Sequence, residues 1–241
     1  MINAQKTISQ GGLAKMTDEV RIAYNRDLEN VRQDILTMGD MVIKALGDAI
    51  KALKTQDEEL AAKVIFNDAE IDKLQIAIED KTVELIALQQ PVATDLRVLS
   101  TALKMTTDLE RIGDHAKKIA KITNTIGQEK LIKPLIDLPK AAEYSAMMVQ
   151  KVLQAYVKLD AKMAREVISL DDNVDELCDQ CKRDILTYMI DDSRNIAQGL
   201  ELNKIVARVE RIGDHSTNLA EWVFYLVTGE KIQKTEGKKH E

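Results

Sequence analysis

Only two of the 241 residues are cysteines and three are prolines, and aromatic side chains make up 3% of the chain. Cys178 and Cys181 cannot build a disulfide framework, and reduced thiols suit the cytoplasm. Three prolines and ten glycines are too few for an all-β chain, which needs a turn about every 8–12 residues. Scarce aromatics leave no stacking platform for single-stranded nucleic acid. Clustered positive charge is missing as well. The formal net charge is −6, and the short basic runs Lys117–Lys118 and Lys238–Lys239 are isolated, which argues against nucleic acid as a partner. No apolar run approaches the ~18–20 residues that span a bilayer, and residues 1–9 lack the apolar core of a signal peptide. The chain reads as soluble and cytoplasmic. A Gly-rich phosphate loop, a GxSxG elbow and an HExxH pair are all absent, so the usual enzyme signatures are missing.

What is present is helix. Hydrophobic residues make up 45% of the chain, and long stretches of Ala, Leu, Ile, Glu, Lys and Asp run without a breaker. Val31, Ile35, Met38, Val42, Leu46, Ala49 and Leu53 recur every three or four residues, one buried helical face. Asp57 supplies the cap for a second helix, which Pro91 ends near Gln90. A third helix runs from about Ala93 to Ile126 and stops at Gly127. The proline-marked joint Lys133-Pro134-Leu135-Ile136-Asp137 is the expected domain boundary. Three more helices follow, to about Leu159, from Asp160 to about Ile190, and from about Asp192 to Thr228, closed by Gly229.

The second half repeats the first. Shifting by 103 places Asp57 on Asp160, Val64-Ile65 on Val167-Ile168, Asp68 on Asp171, Asp72 on Asp175 and Leu74 on Leu177. Shifting by 100 places Glu110-Arg111-Ile112-Gly113-Asp114-His115 on Glu210-Arg211-Ile212-Gly213-Asp214-His215 without a mismatch. The expected fold is all-α, two tandem three-helix bundles at 27–130 and 134–230. Residues 1–26 form an N-terminal extension, expected to lie outside the bundles and open to disorder, and 231–241 form a tail.

Glu110 and Asp114 are four residues apart, within about 40° of each other on a helix. Met105, Leu109, Ile112, Ala116 and Ile119 fall on the opposite side, as Leu202, Ile205, Val209, Ile212, Leu219 and Val223 do for Glu210 and Asp214. Both carboxylate pairs are expected to face away from the core. Asp68 with Asp72, and Asp171 with Asp175, form a second set on the preceding helix of each unit. Like charges at this spacing destabilise a helix by a few tenths of a kcal/mol or so. A hard or borderline cation (Fe, Mn, Mg or Ca) bridging carboxylates from two turns offsets that repulsion. The plain alternative is a solvated acidic face, with Lys117 and Lys121 absorbing the charge.

His115 and His215 lie about 140° round the helix from their glutamates and are secondary metal candidates, better suited to capping or packing. Gly113 and Gly213, each costing about 1 kcal/mol against Ala in mid-helix, point to close approach of another helix. Cys178-Asp-Gln-Cys181 lies in mid-helix, without the helix N-terminus a redox thiol needs or the two further ligands a zinc site needs.

LTMGDMV (Leu36–Val42), QPVATDLR (Gln90–Arg97), DLERIGDHAKKI (Asp108–Ile119), LTYMIDDSRNI (Leu186–Ile196) and RVERIGDHSTNL (Arg208–Leu219) stand in order along the chain. With these motifs the chain resembles the PhoU family, regulators of bacterial phosphate uptake, over nearly all of 27–229. The resemblance implies two similar three-helix bundles, assembly into homodimers or higher oligomers, and a non-enzymatic role. It implies that the protein links the ATPase subunit of the phosphate ABC transporter to a membrane sensor histidine kinase, holding the starvation response and phosphate uptake down when phosphate is plentiful. Membrane association is then expected only through these partners. The resemblance also implies multinuclear iron or zinc sites at Glu110, Asp114, Glu210 and Asp214, with Asp68, Asp72, Asp171 and Asp175 as the partner set.

Two other readings stay open at this point. A carboxylate-bridged di-iron oxidase or storage protein requires Glu-x-x-His motifs facing a bundle core, which these outward carboxylates do not supply. A metal-free helical scaffold requires none of the acids to bind anything.

Overall fold

A computed structural model describes residues 10–232, with side chains placed from residue 21 onward. Among the described residues there are six long helices and no strand: α1 (Gln10–Thr55), α2 (Glu58–Gln89), α3 (Ala93–Ile126), α4 (Asp137–Lys158), α5 (Ala161–Asp191) and α6 (Ile196–Thr228). A single 3₁₀ turn, Ser193–Asn195, leads into α6.

The ends of these helices follow local chemistry. Asp57 accepts from the Leu60 N–H at 2.9 Å and Asp160 from the Met163 N–H at 3.0 Å, so one carboxylate cap opens the second helix of each unit. The residue before each cap, Gln56 or Leu159, takes the left-handed conformation. Gly127 and Gly229 close α3 and α6 with positive φ, their N–H groups bonding Thr123 O and Tyr225 O. Pro139 sits in the first turn of α4, where a missing N–H is tolerated. The two units differ where the second helix meets the third: residues 90–92 separate α2 from α3, whereas Asp192 alone separates α5 from the 3₁₀ turn, and this shorter joint goes with the change of offset from 103 to 100.

One expectation is corrected at the N-terminus. Residues 10–26 continue α1 as helix, so α1 begins well before the apolar stripe does. Residues 1–9 of the expected extension, and 233–241 of the expected tail, lie outside the described residues.

Each unit is a three-helix bundle, α1–α3 and α4–α6, and every apolar position read from the periodicity is buried. The two bundles then pack on each other through α3 against α6 and α1 against α4. At the first of these interfaces the helices run antiparallel. Arg97, at the start of α3, lies over the Tyr225 ring near the end of α6, and Gln198, at the start of α6, accepts from the Ile132 N–H beyond the end of α3. At the second, Arg32 donates to Val157 O and stacks on Tyr156. A single apolar core thus runs through both repeats, and the centres of the two ERIGDH segments face each other across it.

Candidate functional site: the paired acidic faces

α2 lies along the flank of α3 that carries Glu110 and Asp114, and this changes their setting. Glu110 is 18% exposed and Asp114 24%, while Asp68 on α2 is 4% exposed. The expectation that these carboxylates stand clear of the protein is therefore corrected for the first unit. They face away from the apolar core, but into the α2–α3 seam. A helical wheel separates core from not-core; it does not show that a neighbour covers the polar flank.

Within the seam a lysine supplies the counter-charge. Lys117 Nζ donates to Asp68 Oδ2 at 2.5 Å, and this bond, with the charges of Asp68, Asp72 and Asp114, holds the ammonium above its ordinary pKa. Lys118 Nζ donates to Asp114 Oδ2 at 2.5 Å. Burial alone would raise the Asp114 pKa, but the Lys118 bond and the charges of Lys118, His115 and Lys117 outweigh it and pull the carboxyl down. Asp72 is raised by burial and by the charges of Asp68 and Asp114. Glu110 is raised by burial first, then by Asp114, Asp72 and Asp68. The charges of Asp68 and Asp114 thus help to raise Asp72 and Glu110, with Lys117 among them.

The second unit is built differently on the same frame. Glu210 is 32% exposed and Asp214 47%, more open than their counterparts. Lys182 Nζ reaches Glu210 Oε2 at 2.8 Å and Arg211 reaches Asp214 at 3.2 Å. At the positions of Lys117 and Lys118 stand Thr217 and Asn218. Asp171 points at the α6 backbone: a Cβ on Gly213 would stand 2.7 Å from Asp171 Oδ1. A Cβ on Gly113 would instead meet the Ile71 and Val42 side chains. The close approach expected at both glycines is present, with an apolar neighbour in one unit and a carboxylate in the other.

Among the described residues, no group of three or more His, Cys, Asp or Glu side chains stands in metal-holding geometry. In both sets a cation already stands against the acids: Lys117 on Asp68 and Lys118 on Asp114 in the first, Lys182 on Glu210 and Arg211 on Asp214 in the second. By donor chemistry each set offers carboxylate oxygens from two neighbouring helices, the ligand type a hard or borderline cation takes.

His115 and His215 belong to the seam between the two bundles. Their rings lie 5.6 Å apart, tilted by 35°. His215 Nδ1 donates to Asp108 Oδ1 at 2.9 Å, and Asn218 Nδ2 donates to the same oxygen at 3.3 Å. Across the repeat the position of Asp108 is held by Arg208, and His115 faces cations where His215 faces an acid. Burial, then the charges of His215, Lys118 and Arg208, push the His115 pKa down to about 4, and its buried Nδ1 has no hydrogen-bond partner. Both histidines thus pack in the seam between the bundles. Asp108 and Arg208 were not picked out from the sequence. The signal was there, as opposite charges at one repeat position just outside the identical motif.

Cys178 and Cys181 are buried on the core side of α5, and burial pushes their thiols up to about 12 and about 11. Such thiols are unreactive near neutral pH.

The family model described as PhoU domain matches residues 35–123 and again 138–223, one match per bundle. The phosphate-specific transport system accessory protein PhoU homolog of Zymomonas mobilis is 39% identical over 217 residues, covering 90% of this chain and 92% of that protein. The crystal structure of PhoU from Pseudomonas aeruginosa superposes with a TM-score of 0.82 at 36% identity, covering 86% of this chain and all of the other. That of the phosphate transport system regulatory protein PhoU from Streptococcus pneumoniae gives 0.81 at 29% identity, covering 87% of this chain and 99% of the other.

Proposed function

The chain belongs to the PhoU family, and on that footing we propose that it is a non-enzymatic accessory and regulatory protein of a phosphate-specific transport system. In this reading it links the transporter's ATPase subunit to a sensor histidine kinase, and holds starvation genes and phosphate uptake down when phosphate is plentiful. It works in the cytoplasm as a homodimer or higher oligomer and meets the membrane through its partners. The names of the relatives support the transport role. Among the described residues, no helix is long and apolar enough to cross a membrane, consistent with action through partners.

The observation that carries the reading is the duplicated acidic face of α3 and α6. Its four carboxylates are held by the fold and are between 18% and 47% exposed. Such a face docks basic partner surfaces, and its carboxylates take Fe or Zn ions.

Glu110→Ala with Asp114→Ala, and Glu210→Ala with Asp214→Ala, test it in cells carrying each variant as the sole copy. Lys118, left without its acid, is 41% exposed and loses little, so the variants are expected to melt close to the wild type. A starvation-gene reporter is expected to rise in phosphate-rich medium. Normal repression in both variants would remove the motif from the function, and normal repression after deletion of the whole chain would remove the function itself.

A further inference from the structure

α2 carries a second apolar stripe besides the one it buries. Phe66, Ala69, Lys73, Ile76, Asp80 and Val83 recur every three or four residues along its outer side. All six are exposed, Phe66 by 79% and Ile76 and Val83 by 57% each. Among the described residues α2 packs only on α1 and α3, which leaves this side uncovered. A single exposed apolar residue is ordinary, but a stripe about 26 Å long with strictly alternating steps of three and four is the seam of a coiled coil.

The second repeat lacks the stripe. An offset of 103 carries these positions to Ser169, Asp172, Glu176, Asp179, Arg183 and Leu186 of α5, five of them polar or charged. The core positions do not diverge in this way: Ala61, Val64 and Ile71 are matched by Ala164, Val167 and Val174, all buried. The outer stripe of α2 is therefore not a by-product of the shared fold.

The charged members of the stripe decide what fits it. Lys73 bonds Glu70 of its own helix at 2.7 Å, an exposed i, i+3 pair that contributes little and leaves the ammonium further donors. A parallel pairing of two such stripes sets Lys73 on Lys73 and Asp80 on Asp80. In an antiparallel pairing Phe66 stacks on the partner's Val83, and Lys73 lies one layer from the partner's Asp80, within reach of its long stem. Lys63, also exposed, then falls beside the partner's Glu84. Asp72 approaches the partner's Glu79, and the charge of Lys117 near Asp72 offsets that repulsion. A twofold axis makes every such pair twice, so the stripe is complementary to itself.

We propose that the outer side of α2 is a self-docking surface, on which a second copy of this chain lies antiparallel, with Lys73 paired to the partner's Asp80. The pairing uses the first bundle alone and closes on itself as a dimer. This rests on the homodimer reading given above and names the surface that makes it.

Sedimentation velocity on the full-length chain tests it, with circular dichroism to check that each variant is folded. The wild type is expected to be a dimer. Ile76→Glu sets carboxylates in the seam, while Lys73→Asp and Asp80→Lys each give both stripes a single sign of charge. Each of the three is expected to weaken the dimer at least about tenfold. An equimolar mixture of Lys73→Asp and Asp80→Lys is expected to recover the wild-type dimer, because one chain then has acids at both positions and the other lysines. The proposal is overturned if Ile76→Glu dimerises with the wild-type Kd, or if the mixture associates no more tightly than its components. It is overturned too if Ile76→Glu raises the starvation-gene reporter with self-association unchanged, which assigns the face to another partner. Should Ile76→Glu not fold, the two charge variants and their mixture decide alone. A monomeric wild type fails the homodimer reading itself, whereas a wild-type dimer indifferent to these substitutions fails only the α2 surface.

Discussion

His115 offers a quantitative check on the seam between the bundles. It faces Lys118 and Asp114 from α3, and His215 and Arg208 from α6, with a folded pKa near 4 against an ordinary 6.5. A histidine with a depressed folded pKa is held neutral by the fold, while the unfolded chain takes up its proton first. Its contribution to stability is therefore full above pH 6.5 and is lost as pH falls from there toward 4. The linkage relation gives a loss of about 2 kcal/mol at pH 5, against less than about 0.1 kcal/mol at pH 7.5. For a chain of this size that corresponds to a melting temperature lower by about 4–8 °C. Urea unfolding followed by circular dichroism at pH 7.5, 6 and 5 measures it, with His115→Phe as the comparison. Phenylalanine keeps a ring against His215 without titrating, and the buried Nδ1 has no bond to lose. Glu110 and Asp72 are both raised, so they act in the opposite sense and add stability as pH falls through their range. Both proteins share that contribution, which leaves the difference of slopes to His115. Parallel pH dependences for the two proteins would refute the neutral, cation-facing histidine.

Asp108→Ala leaves His215 Nδ1 and Asn218 Nδ2 without their shared acceptor, and is expected to cost about 2 kcal/mol, measured as a lower urea midpoint at unchanged slope. Gly213→Ala sets a methyl 2.7 Å from Asp171 Oδ1, and overpacking is expected to exceed the gain in helix propensity by about 1 kcal/mol. Gly113→Ala comes no closer than 3.1 Å to a neighbour, the end of the Ile71 side chain, and is expected to stay near wild type, so calorimetry that ranks Gly113→Ala below Gly213→Ala in melting temperature would contradict the two seams as described.

How much was legible beforehand depended on the range of the interaction. The stripe from Val31 to Leu53 marked α1 as a buried face, because a 3.6-residue period is written into the chain itself. The same stripe gave no sign that the helix begins at Gln10, since residues ahead of the bundle need no apolar period to be helical. The family was legible from its motifs, and the comparisons bear it out. The acidic residues were picked out by repetition. Their setting was misjudged for the first unit because a wheel treats one helix at a time, and α2 closes over the polar flank of α3.

By itself the sequence determined the helix ends, the duplication and the core. Asp57, Asp160, Gly127 and Gly229 act on their own first or last turn, and the apolar period acts within a single helix. Only the tertiary structure decided that Lys117 would meet Asp68 across 49 residues, that His115 would face cations while His215 faces Asp108, and that two identical motifs would carry unequal charge environments. Those contacts depend on the register and rotation of one helix against another, which the packing of both bundles sets together and no local pattern records.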